Sequence, residues 1–333
     1  MKTGSISVQS LCVPCANKCR YCLLSYDGNL LGAEYDRSAF YAKRFYAWIK
    51  ENHPEISFQF YFGYSMEHPS LLQAVDFMRD IGSVGSEFLQ LDGLNFRNET
   101  DTLALLSGLK EHGIRIIDLT FYGNREYHDR FAARKGDYDF MMQILRCANR
   151  IGLGVIVDIP LNRENADQAD ELVEMFERYP LERLSLFVPH SEGRGASLDK
   201  VRLTLSDYNR LGDAAKKYFN RKRLRTEQEW IAEKALPHYE KRALTISLTP
   251  ENIVTLENQP FEETVRMLEA LDDNYHAALP ELDSLIEICG DPESEKFYNP
   301  RDLIQHYQRE YFLRNQLQIY DIHDERHHFI RRY

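Results

Sequence analysis

Short β-type runs alternate with helical runs through the first two-thirds of the chain, and this alternation restricts the fold more than any other sequence feature. Parallel strands need a crossover connection between them, and a helix usually supplies it. The predicted strands cover residues 5–11, 56–62, 87–91, 114–121, 154–160 and 184–189, and the predicted helices cover residues 35–50, 70–81, 102–111, 138–151, 166–178 and 205–219. These six β–α units predict an α/β fold of parallel strands joined by right-handed crossovers.

Three cysteines follow the first predicted strand. Cys15, Cys19 and Cys22 have the spacing C-x3-C-x2-C, and Cys12 lies just before them. Thiolates are suitable ligands for iron–sulfur clusters, copper(I) and zinc. Three thiolates on one loop can hold three irons of a [4Fe–4S] cluster and leave the fourth iron open for chemistry. A four-thiolate zinc site that includes Cys12 is the alternative, although zinc sites normally pair two knuckles a dozen or more residues apart.

The cysteine spacing, with the aromatic Tyr21 before the third cysteine, resembles the signature of the radical S-adenosylmethionine (radical SAM) superfamily. The resemblance implies one [4Fe–4S] cluster on Cys15, Cys19 and Cys22, with S-adenosylmethionine bound at the open iron. It also implies reductive cleavage of S-adenosylmethionine to a 5′-deoxyadenosyl radical. The implied fold is a partial (β/α)6 barrel over residues 1–219, followed by a mostly helical, substrate-capping region over residues 220–333.

Polar residues after the later strands resemble one branch of this superfamily, which includes sulfatase-maturing and peptide-modifying enzymes. Ligands of a parallel barrel bind at the C-terminal ends of its strands. The matching runs are Gly-Tyr-Ser-Met-Glu-His-Pro at 63–69, Asp-Leu-Thr-Phe-Tyr-Gly at 118–123, Asn-Arg-Glu-Asn at 162–165 and Pro-His-Ser-Glu-Gly-Arg-Gly at 189–195. The resemblance implies cofactor contacts by Tyr21, Gly63, Ser65, Glu67, Thr120, Tyr122, Asn162 and Arg194.

Neighbouring residues in these runs have simpler expected roles. We expect His128 and Asp129 to order the loop after the fourth strand, since such side chains usually bond to nearby backbone. We expect Asp137 and Asn165 to cap the helices that follow them, and Ser206 to cap the helix over residues 205–219.

Residues 220–333 have a different character. A strand-like run covers residues 244–248, and helices are predicted near 262–272, 283–289 and 302–315. In many relatives this region binds auxiliary clusters through several cysteines, but here Cys289 is the only cysteine after Cys147, so we expect no auxiliary cluster. Cys147 lies on the apolar face of a predicted helix and is expected in the core. Cys289 precedes a helix-stop signal and is the better candidate for a hydrogen donor that ends the reaction.

Charge and composition restrict the partners. The chain has 41 basic and 52 acidic residues, a formal net charge of −11, which argues against a nucleic-acid backbone as the main partner. We expect a peptide or small-metabolite substrate and an electron donor such as flavodoxin or ferredoxin. The basic run at 221–225 and the aromatic, basic tail keep modification of RNA or a nucleotide as an alternative. A non-catalytic iron–sulfur binding or regulatory protein is the third possibility.

Localisation follows from the segments that the sequence lacks. No apolar run approaches the length of a membrane span, and the first residues lack the apolar segment of a signal peptide. Reduced cysteines of the cluster type are typical of a reducing compartment. We therefore expect a cytoplasmic protein without membrane contact.

Overall fold

The computed structural model describes residues 1–10, 15–22, 34–62, 67–190, 193–237 and 243–316. Within these ranges the strands are β1 Ser5–Ser10, β2 Ser57–Phe62, β3 Phe88–Gln90, β4 Ile116–Thr120, β5 Gly154–Pro160, β6 Arg183–Phe187, β7 Arg225–Thr226, β8 Ala243–Ser247 and β9 Phe297–Tyr298. The α-helices are α1 Tyr35–Asn52, α2 Leu71–Asp80, α3 Glu99–Glu111, α4 Arg125–Ala132, α5 Asp137–Arg150, α6 Ala169–Phe176, α7 Leu205–Asn209, α8 Asp213–Tyr218, α9 Glu227–Ala232, α10 Pro250–Glu257, α11 Phe261–Ala278, α12 Leu282–Cys289 and α13 Pro300–Arg314. Two 3-10 helices cover Ala166–Gln168 and Gly193–Val201.

Two parallel sheets form the centre of the molecule. One has the strand order β2-β1-β8 and the other has the order β3-β4-β5-β6, and every pairing in both is parallel. A short antiparallel pair joins β7 to β9. The predicted α/β fold class is confirmed. In the described ranges no strand ladder joins β2 to β3, so the closure of a partial (β/α)6 barrel stays a prediction.

Strand β8 extends the first sheet with residues from the second part of the chain. It pairs with β1 from Ser5↔Ala243 to Gln9↔Ser247. The main apolar core likewise continues past residue 219, through Leu244 and Ile246 to Leu268. A second, smaller core is separate from the main one. It consists of Trp230, Leu236, Leu285, Tyr298, Leu303, Ile304 and Tyr307. The proposed division at residue 219 stays a prediction, and the packing groups β8, α10 and α11 with the main sheets.

Three local predictions are wrong. The segment expected as a loop after β4 contains helix α4, because the Asn124 side chain accepts from the Tyr127 N–H and caps it. The predicted helix over residues 205–219 is divided into α7 and α8. Thr204, rather than Ser206, caps α7 in a capping box with Asp207.

Each sheet has an apolar face and a polar face. In β1, Ser5, Ser7 and Gln9 alternate with the more buried Ile6 and Val8. In the second sheet the side chains Asp118, Thr120, Asp158 and Ser185 occupy the face opposite Leu119 and Val157. Since the apolar residues join the core that the helices cover, the polar residues lie on the opposite face of the sheet, away from that layer. This polar face carries the acidic side chains Asp118 and Asp158.

No helix in the described ranges combines the length and the apolar composition that a bilayer crossing requires.

Candidate functional site

The cysteine loop, residues 15–22, follows β1 and lies against the ends of β3 and β4. The Ala16 N–H donates to the Gly93 carbonyl at 2.9 Å. The Lys18 and Arg20 N–H groups donate to the carbonyls of Ala132 and Phe131, at 2.8 and 3.1 Å. The loop is therefore held by backbone hydrogen bonds to the end of α4 and to the segment after β3.

Gly93 makes room for the first cysteine. Its φ of +73° is in the left-handed region, and a Cβ at this position would overlap the Cys15 Sγ. Gly82 has a similar φ of +62°, but a Cβ there would meet nothing within 4 Å. Both glycines relieve the backbone strain of a positive φ, and only Gly93 also leaves space for a thiol.

We expect Gly93→Ala to displace Cys15 and to reduce the iron bound by the reconstituted protein severalfold. Gly82→Ala is the matched control, because it costs only the left-handed strain, about 1 kcal/mol, and should bind iron like the wild type. Iron assays on both purified variants, with circular dichroism to confirm folding, measure the difference. Equal iron in the two variants would show that the space at Gly93 is irrelevant to the site.

Burial changes the pKa of two thiols of the cysteine loop, those of Cys15 and Cys19. Burial raises the pKa of Cys15 to about 11, although a hydrogen bond from the Asn17 backbone opposes the rise. Burial also raises the pKa of Cys19 well above its usual value, and its Sγ lies 3.1 Å from the Tyr122 hydroxyl. These thiols are therefore neutral near pH 7 unless a metal displaces the protons, as coordination does.

The donor set matches the chemistry of an iron–sulfur cluster. Three thiols share one eight-residue loop, and Cys15 and Cys22 both contribute to the raised pKa of Cys19. Within the described ranges, no three His, Cys, Asp or Glu side chains already converge into a metal-binding group. The three cysteines fit a cluster by residue type and by spacing, and Gly93 leaves room for one of their thiols. Cys12 lies outside the described residues.

The structure brings three of the predicted cofactor residues together. The Tyr21 ring packs against the rings of Tyr122 and Phe187, with centroids 5.5 and 6.4 Å apart. Its hydroxyl forms hydrogen bonds with Thr120 and Tyr122. Because Tyr122 also contacts Cys19, these residues make an aromatic wall beside the cysteine loop.

Asp92 is a site residue that the sequence reasoning missed. Its carboxylate accepts from the Thr120 N–H at 3.0 Å, from the Thr120 hydroxyl at 2.8 Å and from Gln90 Nε2 at 2.6 Å. Burial raises the pKa of Asp92 to about 6 despite these hydrogen bonds. The available signal was its position directly after the predicted strand 87–91. The hydroxyl of Thr120 is thus already bonded to Asp92.

Glu67 has a strong partner of its own. Its two carboxylate oxygens accept from Arg97 Nη1 and Nη2 at 2.7 and 2.6 Å, and the Asn95 N–H adds a third bond at 2.7 Å. A ligand ammonium group at Glu67 would have to share the carboxylate with Arg97. Gly63 and Ser65, from the same predicted motif, lie outside the described residues.

Asn162 and Asn165 are buried at the end of β5. Asn162 Nδ2 donates to the Tyr127 hydroxyl at 3.0 Å. Asn165 Nδ2 donates to the carbonyls of Tyr122 and Pro160, at 2.7 and 2.8 Å. Asn165 occupies the N-cap position of the 3-10 helix Ala166–Gln168, as expected, but its side chain makes no capping bond. The side chain instead ties the end of β5 to the segment after β4.

The backbone of Arg194 contacts the cysteine loop, and its guanidinium has unused donors. Its backbone N–H donates to the Cys22 carbonyl at 3.0 Å. A Cβ on the neighbouring Gly195 would lie 3.3 Å from the Tyr21 carbonyl, so the two segments are in close contact. Among the described residues, the buried Nε and Nη2 of Arg194 have no hydrogen-bond partner. Such a guanidinium is a ready donor to an anionic ligand group, such as a carboxylate.

Other predicted residues lie elsewhere. Cys147 is buried in the main core, as expected. Cys289 packs against the smaller core, whereas Cys19 packs with Tyr122 and Phe131, so the structure does not group Cys289 with the cysteine loop. Its hydrogen-donor role stays a prediction.

The basic run at 221–225 is partly neutralised within the chain. Arg221 pairs with Glu229 at 2.5 Å and lies over the Phe297 ring. Arg225 pairs with Glu233 and lies over the Trp230 ring. These internal contacts explain the presence of both arginines without a nucleic-acid partner.

The polar strand face carries two interacting carboxyl groups, Asp118 and Asp158. Burial, followed by the neighbouring charges of Asp158 and Asp92, raises the pKa of Asp118 to about 8. Asp158 accepts from the Ser185 hydroxyl, and its charge is one of the causes of the raised pKa of Asp118. Near neutral pH the folded protein therefore holds a proton here that an unfolded chain, with an aspartate pKa near 3.9, has released.

This raised pKa predicts a pH dependence of stability. The contribution of protonated Asp118 to the free energy of unfolding is fully present below about pH 4. This contribution is lost as pH rises towards 8, because ionised Asp118 is disfavoured only in the folded state. Asp118→Asn, which cannot ionise, should lose less stability than the wild type between pH 5.5 and 8. Urea unfolding midpoints at the two pH values test this, with the exposed Asp167→Asn as control. Parallel pH curves for wild type and Asp118→Asn would contradict it.

Comparisons with known proteins give structural neighbours only. The chain matches no protein-family model, and no curated protein matches it significantly in sequence. Its backbone resembles Streptococcus suis SuiB, with 12% identity and a TM-score of 0.46 over 74% of this chain and 49% of that one. It also resembles coproporphyrinogen III oxidase (HemN) from Escherichia coli, a radical SAM enzyme, with 15% identity and a TM-score of 0.39 over 60% of this chain and 48% of that one. A third neighbour is TsrM from Kitasatospora setae, a radical S-adenosylmethionine methyltransferase, with 11% identity and a TM-score of 0.38 over 60% and 39% of the two chains. The chain spans about half the length of SuiB and HemN.

Proposed function

We propose that the protein is a radical SAM enzyme that abstracts a hydrogen atom from a peptide or a small metabolite. The observation that carries the proposal is the C-x3-C-x2-C cysteine loop, seated at the strand ends of a parallel α/β fold beside Arg194. Cys15, Cys19 and Cys22 would hold one [4Fe–4S] cluster. When bound, the cluster supplies one electron to S-adenosylmethionine, whose sulfonium–C5′ bond breaks to give methionine and a 5′-deoxyadenosyl radical.

The residues of this chain would orient the reactants. Arg194 has buried, unpaired N–H groups and would bind the carboxylate of S-adenosylmethionine. Tyr21, Tyr122 and Phe187 form an aromatic wall that would exclude water from the radical. Asn162, at the end of β5, would contact the ribose. A one-electron donor of the flavodoxin or ferredoxin class is required to complete the electron balance.

The polar strand face supports a polar substrate. The charges of Asp158 and Asp92 act on Asp118. Arg183 forms an ion pair with Asp158 at 3.7 Å within the described ranges. A polar peptide or metabolite would be accommodated here more readily than an apolar one. Modification of RNA has less support, because Arg221 and Arg225 are occupied by internal ion pairs.

Formation of 5′-deoxyadenosine tests the proposal. The protein is reconstituted anaerobically with iron and sulfide, then incubated with S-adenosylmethionine and dithionite. We expect 5′-deoxyadenosine and methionine in the wild type and neither in Cys19→Ala. A reconstituted wild type that holds its cluster and forms no 5′-deoxyadenosine would favour the non-catalytic iron–sulfur protein instead.

A further inference from the structure

Asn17, in the middle of the cysteine loop, is held by two side chains of the α4–α5 segment. Its Nδ2 donates to Asp137 Oδ2 at 3.0 Å, and its Oδ1 accepts from Arg134 Nη1 at 3.2 Å. The Asn17 backbone in turn forms a hydrogen bond with Cys15. Asn17 therefore links Asp137 and Arg134 to the first thiol of the cysteine loop.

The same Asp137 leads to the second thiol through His128. The His128 Nδ1 accepts from the Tyr122 N–H at 3.2 Å, so the proton is on Nε2, which donates to Asp137 Oδ2 at 3.1 Å. The Tyr122 hydroxyl lies 3.1 Å from the Cys19 Sγ. Buried contacts thus connect Cys15 to Cys19 through Asn17, Asp137, His128 and Tyr122.

Burial makes this connection rigid. Asp137 and His128 are both 0% exposed, and Asn17 is 3% exposed. Arg134 Nη1 pairs with Asp137 Oδ1 at 3.1 Å and also donates to the Leu94 carbonyl at 2.6 Å. Each carboxylate oxygen of Asp137 therefore has a partner, and breaking one buried bond leaves a desolvated polar group that costs about 1–3 kcal/mol.

Capping does not explain this arrangement. Gly136 occupies the N-cap of α5, so the sequence-based expectation that Asp137 caps this helix is wrong. Asp129 binds the backbone at the start of α5 instead, since its oxygens accept from the Gly136 and Tyr138 N–H groups at 2.6 and 2.9 Å. The Asp137 carboxylate is left to the cysteine loop.

We propose that Asp137 is a positioning residue that orders the cysteine loop and tunes the cluster bound there. It acts on Cys15 through Asn17 and on Cys19 through His128 and Tyr122. The tuning part rests on the proposed function, because it assumes that the loop binds an iron–sulfur cluster. The ordering part concerns the chain alone. Hydrogen bonds to ligand sulfurs and nearby charge set the reduction potentials of such clusters.

Asp137→Asn is the test variant, and Asp139→Asn is its matched control. Both remove a carboxylate from the first turn of α5, and both carboxylates pair with an arginine, Arg134 and Arg125 respectively. Asp139 is 56% exposed and has no contact with the loop among the described contacts. An asparagine at 137 has one acceptor oxygen, so it cannot accept from Asn17, His128 and Arg134 together.

Two readouts separate the ordering role from the cluster role. In the metal-free protein, hydrogen exchange of the peptide covering 15–22 should be at least about tenfold faster in Asp137→Asn, and unchanged in Asp139→Asn. In the reconstituted protein, a redox titration followed by EPR should give a higher reduction potential for Asp137→Asn only. Asn17→Ala, which removes only the loop side of the connection, should reproduce the faster exchange if Asp137→Asn fails to fold.

Each outcome decides the proposal. Unchanged exchange in Asp137→Asn and Asn17→Ala, or an equal increase in Asp139→Asn, would overturn the ordering role. Faster exchange with an unchanged reduction potential would overturn the tuning role. A wild-type protein that binds no iron would refute the proposed function and, with it, the tuning role, while the exchange result would still decide the ordering role.

Discussion

Replacement of Cys19 by alanine should reduce the iron content of the reconstituted protein to near zero. The wild type should hold about four iron atoms per chain, because one [4Fe–4S] cluster contains four. Cys19 is the most buried thiol of the cysteine loop, so no water or neighbouring side chain replaces it easily. The absorbance of the cluster in the visible region should disappear with the iron. Cys15→Ala and Cys22→Ala should behave in the same way.

Two control variants replace cysteines that lie outside the C-x3-C-x2-C motif. Cys147→Ala removes a buried thiol of the main core and should keep the full iron content. Cys12→Ala should also keep it, because the C-x3-C-x2-C motif uses only three cysteines. Loss of iron from Cys12→Ala as complete as that from Cys19→Ala would indicate a closed four-thiolate site, without an open iron for S-adenosylmethionine. The proposed enzyme function would then fail.

Asp302→Ala should lower the free energy of unfolding by about 3–5 kcal/mol, the usual cost of removing one partner from a buried ion pair. Asp302 is 3% exposed and accepts from Arg202 Nη2 at 3.3 Å and from His190 Nδ1. Burial alone would raise the pKa of Asp302, but His190 and Arg202 outweigh it and hold the pKa below its ordinary value. The variant leaves the buried Arg202 guanidinium without its closest carboxylate.

Asp199→Ala is the control for this prediction. Asp199 contacts the same guanidinium at 3.5 Å, but its side chain is 27% exposed, so its loss should cost less than about 1 kcal/mol. Urea unfolding followed by circular dichroism measures both variants. Equal destabilisation by the two substitutions would show that the buried pair has no special role.

This ion pair also links helix α13 to the candidate site. His190 and Arg202 flank the segment that contains Arg194, and Asp302 belongs to α13. From the sequence, the region after residue 219 is expected to close over the substrate, and this role stays a prediction. The structure adds a specific contact through which α13 can hold the Arg194 segment in place.

The sequence predicted the features that depend on local pattern. Alternating runs predicted the parallel α/β class, because periodicity of side chains determines which face of a strand or helix is buried. The spacing of the three cysteines predicted the candidate site, since residues within one short loop remain close in any fold. Caps were less predictable. Asp137 and Asn165 follow turn residues and are typical capping types, but their side chains bond to distant segments instead.

The tertiary structure decided which side chains from different strands meet. Pairing of β8 with β1, the bidentate contact of Glu67 with Arg97, and the bonds from Asp92 to Thr120 join residues 28 or more positions apart. The connection of Asn17 to Asp137 spans 120 positions. Such contacts depend on which strands and loops become neighbours in the fold, and the hydrophobic periodicity of a single segment does not encode that order. By itself, therefore, the sequence determined the fold class and the cysteine loop, and only the folded chain determined the buried polar partners, because those partners satisfy groups that become desolvated when the strands and helices pack.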